Sequence, residues 1–429
     1  MVCFAELFPP VDLVSKLRQL LIHLSIQLVA GDACLYNRCQ PGVAVLSCPA
    51  RGERVKVQVL QENLQRGLGI VGRAVATRAT LPITANVLLK TDGGRLMLAA
   101  TDLDISISTW VGARVDEEGA TTVPSRLIGD FVSQLPPQPV DLHIPDRGRQ
   151  VKISCARNES TMSAMDAEDF PRIQEIADGT AITLEAKALR RAIERVEFAA
   201  ASDDSRPVLT GVQLKTDGPR LTMAAADGFR LAVADITLAK APEQAVEVIV
   251  PARAFRELSR LVADSNEDVE MRVNPQRTQV RFALTDTEMV AQLIQGTFPN
   301  YNQLIPSEYN TKATVNVDEF KREVRIAAIF ARDGSGIIRL QLQPGEGPNG
   351  QLTISARADE VGDNEGKVDV KLEGDPSKIA FNSRYLQDVL GILGGEVALE
   401  MTSPSAQGVF RPVGETDYVH VVMPMFVQW

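Results

Sequence analysis

The sequence states one pattern twice. Thr91 to Asp102 reads TDGGRLMLAATD, and Thr216 to Asp227 reads TDGPRLTMAAAD. Pro82 and Pro207, Lys90 and Lys215, Arg95 and Arg220 keep the same register, each pair 125 positions apart. A repeat of that length is too long for a solenoid unit and suits a whole small domain, so the chain must fold as tandem copies of one architecture. Within each copy an apolar strand (Val87, Leu89; Val212, Leu214) runs into Asp-Gly, a favoured hairpin turn because glycine accepts positive φ. A second alternating strand follows (Leu96, Leu98; Leu221, Met223). A looser third copy with a longer turn reads LQLQPGEGPNGQLTISA, Leu340 to Ala356.

Three units are expected, over residues 55–173, 181–306 and 312–429. Each is expected to open on a helix. Leu60, Leu64, Leu68, Val71 and Val75 make one stripe, with Arg66 and Arg73 opposite it. Leu189, Ile193 and Val196 repeat the stripe with Arg191 and Arg195 across from it; Phe320, Val324 and Ala327 do so with Arg322 and Arg325. A second helix begins at VPSR, VPAR and FNSR, which puts Arg126, Arg253 and Arg384 in one slot. The units close on DFPRI (Asp169 to Ile173), TFPNYNQLIP (Thr297 to Pro306) and VVMPMF (Val421 to Phe426). Strands dominate with two helices per unit, so the fold class is α+β in three tandem copies. Short joints at 174–180 and 306–312 keep the units close together.

Residues 1–54 match none of the repeats and are expected to be a disordered extension or a mis-assigned start. Leu13 to Val29 is interrupted by Lys16, Arg18, Gln19, His23 and Gln27, too polar for a membrane span. Glu6 and Asp12 stand where a signal peptide carries basic residues. Four of the five cysteines (Cys3, Cys34, Cys39, Cys48) fall in this extension and only Cys155 in the repeated body, which favours a reducing cytoplasm over a disulfide framework.

Catalysis has little support. His23, His143 and His420 are scattered, no nucleophile–base set recurs across the units, and neither a metal nor a cofactor is expected. Asp102, Asp104 and Asp227 sit beside turns, where aspartate caps backbone N–H groups, which is the simpler reading than metal ligation. Asp92-Gly93-Gly94 lacks the Lys-Ser/Thr of a phosphate-binding loop. The informative pattern is basic. A net charge of −10 argues against a wholly basic nucleic-acid coat, yet three first helices carry arginines away from their core stripes. Arranged around an axis, such helices would line a bore that holds a polyanion by its phosphates without reading sequence.

LPITANVLL (Leu81 to Leu89), TTVPSR, AADGFRLAV (Ala225 to Val233), FPNYNQLIP, FNSRYLQDVL and YVHVVMPMF (Tyr418 to Phe426) together resemble the β sliding clamp family of bacterial DNA polymerase III, from Val55 to about Val427. The resemblance implies a head-to-tail homodimer whose six domains close a ring around duplex DNA. It implies a processivity factor that is not an enzyme, opened by an ATP-driven clamp loader. Its partners would be the polymerase III core and other proteins carrying a clamp-binding motif, in the cytoplasm at the nucleoid and without membrane contact. A scaffold ring of the same fold without a replicative role is the alternative. The DNA contacts so implied are Arg66, Arg73, Arg78, Arg191, Arg195, Arg253, Arg322 and Arg325.

The family's pocket for a short peptide with apolar anchors would lie between units two and three. Carried over by motif, its lining is Leu209, Ala226, Gly228, Phe229, Arg230, Leu231, Pro299, Leu304, Asn382, Tyr385, Val421, Met423, Pro424 and Met425. Methionines and aromatics suit a surface that accepts several peptides. Ala226 and Phe229 stand where the family commonly has Thr and His, and the tail runs on from Phe426 to Trp429.

Overall fold

The computed structural model describes residues 55–76, 81–144, 149–203, 205–263, 267–345, 349–360 and 362–429. Residues 1–54, and with them the expected extension, lie outside the described residues, as does Arg78. Three times over, the described chain runs strand, helix, three strands, then strand, helix, three strands again. The six helices are α1 (Gln61–Val71), α2 (Ser125–Ser133), α3 (Ala186–Val196), α4 (Ala252–Leu261), α5 (Val317–Arg332) and α6 (Ser383–Ile392).

The units open on strands rather than on helices. Val55–Leu60, Thr180–Leu184 and Thr311–Asn316 each precede the first helix. Their alternation lasts only five or six residues before the helical stripe takes over. Leu60, expected on the stripe of α1, is instead the extended residue before the helix and is exposed. Leu64, Leu68 and Val71 do face the core. At the Asp92–Arg95 turn both Gly93 and Gly94 have positive φ (55° and 75°), the geometry a tight hairpin needs. Gly67 lets α1 approach the sheet: a Cβ there would lie 2.5 Å from Leu98 Cδ1.

The 24 strands among the described residues fall into two sheets of twelve, and the middle unit is divided between them. One sheet joins unit one to Thr180–Leu184, Val269–Val273, Gln279–Ala283 and Thr287–Gln292 of unit two. There Ile105–Glu117 pairs with Thr287–Gln292, Ile107 opposite Met289 and Thr109 opposite Thr287. The other joins Gly211–Asp217, Arg220–Ala226, Arg230–Thr237 and Glu247–Pro251 of unit two to unit three. There Arg230–Thr237 pairs with Tyr418–Val422, Leu231 opposite Val421 and Val233 opposite Val419. Each joint therefore places the last strand of one unit on the fourth strand of the unit before it. Alternation assigns the faces. Ile105, Ile107, Met289, Ala232, Ala234, Tyr418 and Val422 enter the main core with the helices. Leu231, Val233, Val419 and Val421 point the other way, into a separate apolar cluster with Leu209, Phe298 and Val409.

On the core side of the second joint, His420 is fully buried. It stacks on Phe198 (centroids 5.5 Å apart), lies 3.2 Å from the Tyr418 hydroxyl through Nδ1, and leaves Nε2 without a partner. Burial, with the nearby Arg230 charge, pushes its pKa down to about 3, and burial pushes the Tyr418 phenol up. The unfolded chain thus takes up a proton near pH 6.5 that the folded chain refuses. Stability should be fully present above pH 6.5 and fall as pH drops toward 3, by at most about 1.4 kcal/mol per pH unit. Urea unfolding of His420→Gln between pH 7 and 5 should show a flatter slope than the parent; an equal slope would place the titrating group elsewhere.

Candidate partner-binding surfaces

The helix face away from the sheets carries most of the expected arginines. Arg66 on α1, Arg322 and Arg325 on α5 and Arg384 on α6 are exposed, and Arg126 on α2 is nearly free of neighbours apart from Asp130 at 3.8 Å. Among the described residues Arg66 and Arg325 have no ion pair. Arg253 on α4 reaches across the first joint to Asp102, whose other oxygen accepts from the backbone N–H groups of Asp104 and Ile105. Arg191 is half-exposed and pairs with Glu415 at 2.6 Å.

Two expected contacts are turned elsewhere. Arg195 is 7% exposed and sits on the edge of the stripe of α3, not across from it. Its guanidinium joins Glu415, bonds Asp417 at 3.2 Å and lies 5.1 Å over the Tyr418 ring. A helical wheel drawn for one unit cannot see these partners, because all three belong to the next unit. Burial pushes the Glu415 carboxyl up, but the hydrogen bonds and charges of Arg195 and Arg191 outweigh it and hold the carboxyl below its ordinary range. Arg73 falls past the end of α1 in a short 3₁₀ turn, half-buried, with Nη1 buried and without a hydrogen-bond partner.

The expected pocket residues meet at the second joint but do not share one face. Leu209, Leu231 and Val421 lie in the outward apolar cluster with Ala226 packed against it. Leu304 and Met423 are exposed, as are Pro299 and Gly228. The last strand ends at Val422, so Met423, Pro424 and Met425 are not part of it. They are held instead by two single backbone bonds: Met423 N donates to Phe229 O and Met425 N to Ala380 O, both 2.8 Å. Phe229 is 56% exposed and stacks on Tyr385 (6.3 Å between centroids). Its own N–H is held by Asp227 Oδ1 at 2.8 Å, and Gly228 takes φ 95° to make that turn. Asn382 caps α6 by accepting from Arg384 N.

Arg230 belongs to the other face. One position before Leu231, it is buried, bonded to Asp227, Asp388 and the Phe198 carbonyl, and sandwiched between the rings of Phe198 (5.3 Å) and Tyr385 (4.6 Å). It fastens the joint and steadies Tyr385, rather than lining the apolar groove. The cluster residues that sequence reasoning passed over are Ala224, Val233, Ile249, Phe298, Val409 and Val419. Period-two alternation along the two joint strands was the available signal for Val233 and Val419. Among the described residues no group of three or more His, Cys, Asp or Glu is placed to hold a metal, and no helix is long and apolar enough to cross a membrane.

Profiles of the N-terminal, central and C-terminal domains of the DNA polymerase III beta subunit match residues 55–174, 183–300 and 302–426. The chain is 33% identical to the beta sliding clamp of Synechococcus elongatus, covering 86% of this chain and 99% of that protein. It is 30% identical to the beta sliding clamp of Caulobacter vibrioides, covering 87% and 100%. The crystal structure of the DNA polymerase III subunit beta from Pseudomonas aeruginosa superposes with a TM-score of 0.80 at 29% identity, covering 86% and 100%.

Removing Arg195 would leave Glu415 and Asp417, both on unit three, without their shared partner across the joint. Arg195→Ala should lower unfolding free energy by about 2–3 kcal/mol, less than a fully buried pair would lose because both carboxylates are partly exposed. Arg191→Ala, at a half-exposed pair, should lose about 1 kcal/mol or less. Urea titrations of the two variants check the order.

Proposed function

The chain belongs to the bacterial DNA polymerase III β-subunit family, and from that premise we propose that it is a sliding clamp, a processivity factor that encircles duplex DNA and tethers the polymerase to it. The observation that carries the reading is the rule of the joints. Among the described residues each unit lays its last strand on the fourth strand of the unit before, which leaves one unsatisfied position in unit one and one in unit three. Unit one's last strand, Asn158–Ser163, is a sheet edge. In unit three, Gly362–Gly374 pairs on one side with Thr311–Asn316 only from Lys371 onward. Its residues 362–367 therefore offer the edge that Ile105–Glu117 offers at the first joint. Two long free edges invite pairing with another chain.

Apolar side chains flank both edges. Leu127 on α2 is 51% exposed, and Ile326 and Ile329 on α5 are 38% and 56% exposed. At the second joint the paired strands are flanked by the same two helix types, the first helix of the earlier unit (Arg195) and the second helix of the later one (Asp388). Head-to-tail pairing of two copies would use these surfaces twice and close a ring of six units. Arg66, Arg126, Arg191, Arg253, Arg322, Arg325 and Arg384 then serve as phosphate contacts that hold DNA without reading it. Arg73 and Arg195 do not. The clamp acts by topology rather than chemistry, at the chromosome, and an ATP-driven loader opens it. The outward cluster at the second joint, with Phe229, Met423 and Met425 at its rim, receives the apolar anchors of partner peptides, including the polymerase tail.

Loading onto nicked circular DNA with the cognate loader and ATP tests the ring. Protein retained on circles should be lost on linearisation, and Ile326→Asp/Ile329→Asp should run as a monomer and fail to be retained. Retention that survives linearisation would instead favour a scaffold. For the pocket, deletion of Met423 to Trp429 removes anchors worth about 1–3 kcal/mol each. A fluorescent peptide copying the polymerase C-terminal tail from the same genome should bind the folded, dimeric deletion more than tenfold more weakly; full-strength binding would move the pocket elsewhere.

A further inference from the structure

The three kinds of joint share one backbone rule and differ in the chemistry of their outward faces. At the second joint, Leu231 opposes Val421, Val233 opposes Val419, and Val409 pairs with Val421 on the next strand. At the first joint the same register puts Ser106 opposite Val290, Ser108 opposite Glu288, and Arg281 beside Val290. Arg281 is bonded to Glu288 and lies 3.2 Å from Glu270. At the open ends, alternation with the buried Met162, Val368 and Val370 turns Glu159 and Thr161, Asp363 and Glu365 outward. Only the second joint has an apolar outward face.

The first joint nonetheless keeps a groove. Met97, Trp110, Phe170, Pro171 and Ile173 stand around Arg281 and Glu288. Phe170-Pro171 holds the place in its unit that Phe298-Pro299 holds at the second joint, by the sequence repeat. The walls are present in both; the floors differ. Val233, Val409 and Val419 are themselves buried with Leu209 and Phe298, so an incoming aliphatic or aromatic anchor meets an apolar layer with no charge beneath it and removes only apolar surface from water. Over Arg281 and Glu288, the same anchor must strip water from two charges and return no hydrogen bond.

We propose that Val233, Val409 and Val419 are the residues that make the second joint the peptide-accepting groove of each chain, and that Ser108, Arg281 and Glu288 close the first joint to the same apolar-anchored peptide. This deepens the reading of the second joint as the peptide site and rests on it. The charged pair acts by exclusion, so that one repeated architecture offers one tether site per protomer and not two.

Exchange of the floors tests the assignment, with the fluorescent polymerase-tail peptide as probe. Val409→Arg/Val419→Glu transplants the ion pair into the second joint and should weaken the peptide at least tenfold, with circular dichroism and dimer mass unchanged. If that variant does not fold, Val419→Thr, which exchanges a methyl for a hydroxyl at constant size, should still weaken it about threefold to tenfold. Full-strength binding by a folded Val419→Thr or by the folded double variant overturns the role of the valines. In the other direction, Ser108→Val/Arg281→Val/Glu288→Val should raise the saturating stoichiometry above one peptide per chain. A stoichiometry that stays at one overturns the excluding role of the pair. The deletion of Met423 to Trp429 separates the two levels of the argument. If that deletion loses the peptide while the valine variants keep it, the pocket stands and this inference falls. If all of them keep it, the pocket itself is misplaced.

Discussion

Backbone pairing across unit boundaries is the constraint on which the rest depends. A strand at a sheet edge presents unpaired N–H and C=O groups, and a fold must satisfy, cover or exploit them. Here Ile105–Glu117 and Arg230–Thr237 leave part of one flank open within their own units, and the neighbouring unit's last strand fills it. The side chains at each joint then follow from where that pairing puts them. Thr109 and Thr287 hydroxyls meet at 2.9 Å, Arg95 reaches Asp286 at 2.8 Å, and Asp235 N donates to Asp417 O at 2.8 Å. The units act as one body because ladder hydrogen bonds, not loops, connect them.

Alternation along the joint strands sorts the chemistry onto two faces. One face meets the helices and holds buried Arg195, Tyr418, His420 and Arg230 with half-buried Phe198 and Tyr385, whose rings and guanidinium groups follow one another at 4.6 to 6.3 Å. The other face holds the valine floor. Arg230 and Leu231 are neighbours in sequence and belong to different jobs. Carrying a motif across as a block places both in one pocket; the pleat separates them.

Much of this was legible beforehand. The 125-residue repeat, the Asp-Gly hairpins and the stripes of α1, α3 and α5 are local patterns, and local patterns read well. Asp102 and Asp227 were also readable as turn caps, and both accept two backbone N–H groups. What escaped depends on a second unit. Arg195 looks like a surface arginine until Glu415 and Asp417 arrive from residues more than two hundred positions away. The opening strands escaped for another reason: five or six alternating residues beside a strong helical stripe are easily absorbed into it. Val409 and Val419 escaped because an apolar strand looks the same whether it faces a core or a groove.

The division of unit two has a mechanical consequence. In unit one, Val55–Leu60 pairs with Ile105–Glu117, and in unit three Thr311–Asn316 pairs with Gly362–Gly374, so in each outer unit a ladder between the first and fourth strands makes one continuous sheet of all eight strands. In unit two the strand Arg230–Thr237 stops eight residues along without reaching Thr180–Leu184, and among the described residues only the Ile249–Ile294 bridge pairs backbone between the unit's two sheet portions. Side-chain packing slides at small cost where ladder hydrogen bonds do not. The chain is therefore stiff at its joints and compliant at the centre of its middle unit, so a force that bends the arc is absorbed there, as a shear between two sheets, while the contacts on either side keep their register.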